Sequence, residues 1–112
     1  MRDVIDNNED FATEWALETQ AIRAGQQTSQ FGEHSQAIFL TSSFVASSAA
    51  EAAALFCGEK QGYIYARFTN PTVTAFQERL ALMEGAERCV ATASGMSAIL
   101  AAVMAHVSAG DH

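Results

Sequence analysis

The run from residue 88 onward, RCVATASGMSAILAAVMAH, limits the fold of this chain more than any other part of it. Residues 88–93 read as a short buried strand, and residues 97–107 as a helix whose large apolar side chains are Ile99, Leu100, Val103, Met104 and Val107. Only Ser94, Gly95 and Met96 lie between them. One strand feeding one helix is not a parallel sheet, because each strand of such a sheet needs neighbours or an edge role. Asp111 and His112 fall where the next strand of an α/β chain would start. The expected architecture is therefore the first part of a larger α/β protein, and the alternative is a small helical unit with a single ribbon.

The clearest helix is TNPTVTAFQERLALMEG. Thr69 or Asn70 can cap it, and Pro71 falls at the first helical position, where its missing N–H costs nothing and its fixed φ helps. Val73, Phe76, Leu80 and Met83 follow at spacings of three, four and three, so they predict a buried stripe widened by Leu82, with Glu78 and Arg79 facing outward. Gly85 ends it. A shorter helix is expected in SSAAEAAALFCG, capped by Ser47 or Ser48, with Glu51 in its first turn and Gly58 at its end. Further upstream, helical structure is expected from near Asp10, taking in Phe11, Trp15 and Leu17. The polar run 25–35 reads as loop, and residues 37–44, AIFLTSSF, as a strand or a surface-lying extended segment.

Charge excludes some functions. Six Lys and Arg against thirteen Asp and Glu leave a net charge of −7, so no basic field exists to draw in nucleic acid or an anionic membrane. At 49% hydrophobic residues the chain is too apolar to read as disordered, yet it has no run of about 18 apolar residues that would span a bilayer. Cys57 and Cys89 form no C-x-x-C and read as buried thiols in a reducing compartment, with the cytoplasm as the expected location. His34, His106 and His112 have no metal-ligand spacing, and no metal site is expected.

Two constellations can carry chemistry. At Ser94-Gly95-Met96 a glycine in a strand-to-helix turn lets the unpaired N–H groups of the helix start converge on a phosphate or carboxylate. Gly95 and Met96 would offer amides and Ser94 its hydroxyl, unless Ser94 is only an N-cap. In Tyr63-Ile64-Tyr65-Ala66-Arg67 an extended backbone would project Tyr63, Tyr65 and Arg67 to one side. A phenol and a guanidinium so placed can clamp an anion, and the plainer reading is surface aromatics beside a salt-bridging Arg. Met83, Met96 and Met104 are expected to pack, and Glu18 and Arg23 to pair or face water.

Taken together these strings resemble one family. GYIYARFTNPT at 62–72, FQERLALMEG at 76–85 and ATASGMSAI at 91–99 closely resemble the N-terminal region of the Cys/Met metabolism pyridoxal-phosphate enzymes of the cystathionine synthase and lyase type. ETQAIRAG at 18–25 and AIFLTSSF at 37–44 resemble that family's opening arm and the segment after it. The wording of GEHSQAIFLTSSF and ATASGMSAIL is most similar to the sulfhydrylase branch that acts on O-succinylhomoserine.

The resemblance implies a fold-type I (aspartate aminotransferase-like) protein. Residues 1–58 would be an N-terminal arm and helix contributing to the dimer interface, and 59–112 the start of the large cofactor-binding domain. It implies pyridoxal 5'-phosphate as cofactor, held by Gly95, Met96 and Ser94 at the helix start. Tyr65 and Arg67 match a Tyr-x-Arg pair that reaches across the interface to the phosphate of the neighbouring site, in a dimer of identical subunits that is expected to form a tetramer. The implied reaction is a γ-replacement in which succinate leaves O-succinylhomoserine and hydrogen sulfide adds to give homocysteine, a step of methionine biosynthesis. Cystathionine γ-synthase, methionine γ-lyase and O-acetylhomoserine sulfhydrylase activities remain alternatives, as does a non-catalytic, Ala-rich helical interaction domain. The single lysine, Lys60, does not match the family's cofactor-linking lysine, which lies far downstream. No catalytic residue is therefore expected within this segment, which reads as part of a longer enzyme whose remaining C-terminal part completes the site.

Overall fold

The computed structural model describes residues 14–112. Four helices follow one another among them: α1 (Leu17–Arg23), α2 (Ala49–Phe56), α3 (Pro71–Met83) and α4 (Gly95–His106). The expected upstream helix starts at Leu17, with Trp15 in the bend before it, while Asp10 and Phe11 lie outside the described residues.

Helix α3 organises the rest. Asn70 is its N-cap, with Oδ1 accepting from the Thr72 amide at 2.9 Å, and Pro71 occupies the first turn. The same two side chains hold the extended segment 37–44. Asn70 Nδ2 donates to the Phe39 carbonyl at 3.0 Å, and Thr72 Oγ1 accepts from the Phe39 amide at 2.9 Å. Asn70 is buried, and both the oxygen and the nitrogen of its amide have a partner where leaving either unpaired would be costly.

Along its other side α3 receives α1. The contact is made by small groups: Ala24 and Ala75 are buried, and Arg79 Nε donates to the Ala24 carbonyl at 2.8 Å. Arg79 therefore turns inward, where an outward position was expected. Gly25 has φ +66°, and a Cβ there would stand 2.5 Å from the Ala75 carbonyl oxygen. Both the left-handed backbone and the close approach exclude a side chain. In the native assembly, Gly25→Ala is expected to lift α1 from α3 and abolish amide-exchange protection in residues 17–24 while α3 keeps its own. Unchanged protection would show that α1 does not depend on this approach.

The buried face of α3 differs from the expected stripe. Pro71, Ala75 and Ala81 are buried, whereas Val73 and Phe76 are exposed, Phe76 by 55%. The apolar period cannot say which part of the stripe this segment covers. Here the alanines allow α1 to approach, Leu80, Leu82 and Met83 are half-buried, and Val73 and Phe76 stay exposed.

Helix α2 is capped by Ser48, whose side chain accepts from the Glu51 amide at 3.1 Å, and Gly58 follows it at φ +74°. Glu51 accepts from the Ser47 hydroxyl and amide and from Lys60 Nζ. The Lys60 ammonium first, and Ser47 second, hold the Glu51 carboxyl at about 2, well below the ordinary carboxylate range. A depressed carboxylate pKa stabilises the clip above the unfolded value, and that contribution disappears as pH falls through about 2. NMR titration of the native assembly is expected to show a low Glu51 midpoint that rises towards the ordinary carboxylate range in Lys60→Ala. A midpoint unmoved by Lys60→Ala would contradict the assignment.

The polar stretch 25–35 is loop, as expected, but a tied one. Arg23 reaches the His34 carbonyl at 3.3 Å and its ring at 2.9 Å, so it does not pair with Glu18. Ser29 donates to Glu33 through Oγ and N, which lowers the Glu33 pKa.

The expected strand at 88–93 is not formed. Among the described residues the β pairing is one antiparallel bridge, Ser43 with Tyr65, flanked by Phe44 N–H to Ile64 O at 3.0 Å and Ala66 N–H to Ser42 O at 2.9 Å. Residues 88–92 have no regular secondary structure and no neighbouring strand, and without one the backbone groups have no ladder to join. The sheet core of the α/β expectation is thus not seen in this segment, whose described residues are helical.

Little of the apolar surface is covered. Accessible area is 9421 Å², against about 6,000 Å² for a folded monomer of 12.0 kDa. Among the described residues the buried apolar ones are Ala24, Pro71, Ala75 and Ala81, with no large side chain fully enclosed. Met96, Ile99, Leu100, Val103 and Met104 all lie exposed along α4, and Met96 and Met104 do not pack as expected. A helix this apolar needs cover from further protein.

Candidate anion-binding site at the start of α4

Ser94 is the N-cap of α4, in extended conformation at φ −157° and ψ 155°. Its Oγ accepts from the Ser97 amide at 3.2 Å and lies 3.0 Å from Ser97 Oγ, while the Thr92 hydroxyl donates to the Ser94 carbonyl at 2.8 Å. Gly95 and Met96 are the first two residues of the helix, and among the described residues no acceptor faces their amides. A Cβ built on Gly95 would meet nothing within 4 Å, and the glycine is not in the left-handed region. The backbone there tolerates a side chain, so what glycine leaves open is the space in front of the two amides.

Two free N–H groups, a pair of hydroxyls and a 12-residue helix aimed at one point suit an anion. The helix contributes about half a positive charge at that end. A phosphate fits this arrangement: Gly95 and Met96 would donate through their amides, and the hydroxyl proton that the Ser94–Ser97 pair does not use between its own two oxygens would be a third donor. Ser94 is at the same time the helix cap, so the structure places both readings of that residue on one side chain.

The second constellation is not extended along its length. Tyr65 lies in the bridge, and the chain then turns, with the Phe68 and Thr69 amides donating to the Tyr65 carbonyl at 2.9 and 3.1 Å. Arg67 folds back, its guanidinium carbon 5.2 Å from the Tyr65 ring centre and 5.9 Å from that of Phe68. Tyr63 goes elsewhere, stacking against Phe44 at 5.4 Å with its hydroxyl towards Gln27. The period-two projection of three side chains therefore fails at Ala66, where the turn begins. Tyr65 and Arg67 are together, exposed, and Arg67 has no ion pair among the described residues. No hydrogen bond or ring contact joins them to residues 94–96 of the same chain. A depression lined by Gln20, Leu82, Gly85, Ala86 and Glu87 contains none of the five expected site residues.

Two residues at work around the site were not visible in the sequence. Gln77 Oε1 accepts from the Ala91 amide at 2.9 Å, and Thr72 secures Phe39. Both partners are distant in sequence, and neither residue stands out in its helix as more than a polar position.

An open helix start at Gly95 and an exposed Tyr-x-Arg turn are the two features that the geometry of this segment presents. Residues 18–112 match the family described as Cys/Met metabolism PLP-dependent enzymes, and the chain belongs to that family. It is 60% identical over 97 residues to an O-succinylhomoserine sulfhydrylase of Pseudomonas aeruginosa, covering 87% of this chain and 24% of that protein. Against an L-methionine gamma-lyase of Porphyromonas gingivalis the identity is 42% over 94 residues, 84% of this chain and 24% of the lyase. A Campylobacter jejuni protein assigned as an O-acetylhomoserine (thiol)-lyase, solved with N'-pyridoxyl-lysine-5'-monophosphate, superposes with a TM-score of 0.78 at 31% identity. That superposition covers 87% of this chain and 23% of the other. The chain spans about a quarter of the length of the curated relatives it matches.

Proposed function

We propose that this chain is the phosphate-holding segment of a pyridoxal-phosphate-dependent O-succinylhomoserine sulfhydrylase. The carrying observation is the open start of α4, where the Gly95 and Met96 amides face no acceptor. The choice of branch is supported by the 60% identity to a sulfhydrylase of that name. The work proceeds inside a longer polypeptide, with residues 1–58 forming an arm and interface helix and 59–112 the start of the cofactor-binding domain.

When bound, pyridoxal phosphate supplies the electron sink of the reaction. The residues of this chain anchor its phosphate: the α4 amides and hydroxyls from one subunit, and Tyr65 and Arg67 from its neighbour. Tyr65 offers one short hydrogen bond and Arg67 a charge-assisted fork. The pair is exposed and Arg67 has no ion pair among the described residues, which suits a site completed by a second copy. Cys57 is exposed and Cys89 half-buried, where buried thiols were expected; both are free thiols, which suits the cytoplasm.

The reaction is tested by supplying purified full-length protein with sulfide and either O-succinylhomoserine or O-acetylhomoserine, and separately with methionine alone. Homocysteine formed preferentially from the succinyl ester is the expected result. Preference for the acetyl ester, or release of methanethiol from methionine as the dominant activity, would assign the protein to another branch.

A further inference from the structure

Between Ala86 and the cap at Ser94 the chain has almost nothing to fix it. Ala86 is still part of the α3 ending, its amide donating to the Ala81 carbonyl at 2.8 Å. Beyond it, among the described residues, one hydrogen bond ties the segment to another element: Ala91 N–H to Gln77 Oε1 at 2.9 Å. Only the oxygen of the Gln77 amide can accept, so this bond also fixes which way that amide faces.

We propose that Gln77 is a positioning residue for the phosphate cup, acting through Ala91. This rests on the reading of the α4 start as a phosphate site. Ala91 stands three residues before Ser94, about 10 Å of extended chain. Thr92 Oγ1 bonds to the Ser94 carbonyl, and Ser94 in turn caps the helix that presents the Gly95 and Met96 amides. The anchor is therefore carried by short, successive links into the donors. Its other end stands on α3, whose cap and first turn are held on the Phe39 backbone by Asn70 and Thr72. Donors that must meet a phosphate within about 0.5 Å need such support from residues that never touch the ligand.

The test is a titration of the apo full-length protein with pyridoxal phosphate and, separately, with pyridoxal, which lacks the phosphate. Gln77→Leu keeps the bulk but cannot accept. It is expected to bind pyridoxal phosphate about fivefold more weakly, the equivalent of one hydrogen bond, and to bind pyridoxal like the wild type. Gln77→Glu keeps an acceptor at the same reach and is expected to bind both as wild type does. If Gln77→Leu does not assemble, Gln77→Ser, too short to reach Ala91, is read in the same way. Equal weakening towards both ligands, or no recovery in Gln77→Glu, means a merely structural role and overturns the proposal. Unchanged pyridoxal-phosphate affinity in Gln77→Leu beside a weakened Gly95→Val overturns it too, and leaves the cup intact. An unweakened Gly95→Val removes the cup and the proposal with it.

Discussion

Residues 1–112 produced alone are expected to show no cooperative thermal transition, poorly dispersed amide shifts and strong binding of a hydrophobic dye. The reason is the balance of burial against chain entropy. Fixing each residue costs on the order of 1–2 kcal/mol, and the offset comes mainly from apolar area removed from water. Among the described residues the buried apolar side chains are three alanines and Pro71, and the large ones of α4 stay in solvent. The Cα radius of gyration, 17.0 Å, exceeds the roughly 13 Å of a compact chain of this length. Helix caps at Ser48, Asn70 and Ser94 help each helix by about 1 kcal/mol, too little to replace a core. A monomer with a sharp, cooperative melt and dispersed shifts would contradict this.

The second large effect is expected at Arg67. In the full-length protein Arg67→Ala should weaken retention of pyridoxal phosphate by roughly 2 kcal/mol or more, because charge-assisted hydrogen bonds to a desolvated phosphate are lost. The location of the loss is informative. Arg67 makes no contact with the α4 start of its own chain, and the proposal assigns it to the site of the neighbouring subunit. Chains with Arg67→Ala mixed with chains lacking the downstream cofactor-linking lysine should then regain part of the activity, since one hybrid site holds both groups. Hybrid dimers that form and stay inactive would place Arg67 in its own subunit's site, or in none.

Local chemistry was legible in the sequence and long-range cover was not. Pro71 after Asn70, Gly58 after α2, Gly85 after α3 and Ser94 before α4 each act through groups within a few residues, so their roles follow from the string itself. Burial depends on what arrives from elsewhere. Val73 and Phe76 have the right period for a core and lie exposed, while Ala75 is enclosed because α1 crosses there on Gly25. Residues 88–93 have the composition of a strand, but strand structure belongs to a set of neighbours. Arg67 was placed beside Tyr65 on the assumption of an extended backbone, and it meets Tyr65 instead by folding back over the ring after a turn. Gln77 and Arg79 act on residues 14 and 55 positions away, and no local pattern announces such partners. The family, by contrast, was legible throughout, because it rests on the order of several strings rather than on the conformation of any one.

The central claim is that the start of α4 is a phosphate cup and more than a helix cap. Absorbance titration of apo full-length protein with pyridoxal phosphate tests it through Gly95→Val. Among the described residues a Cβ at Gly95 meets nothing within 4 Å, so the substitution should leave secondary structure and assembly largely intact and act on a ligand standing in that space. The account predicts at least a tenfold loss of affinity, about 1.4 kcal/mol, with Met96→Ala much closer to wild type because its amide survives. Equal affinity for wild type and Gly95→Val would contradict it and leave Ser94 as the cap of an ordinary helix.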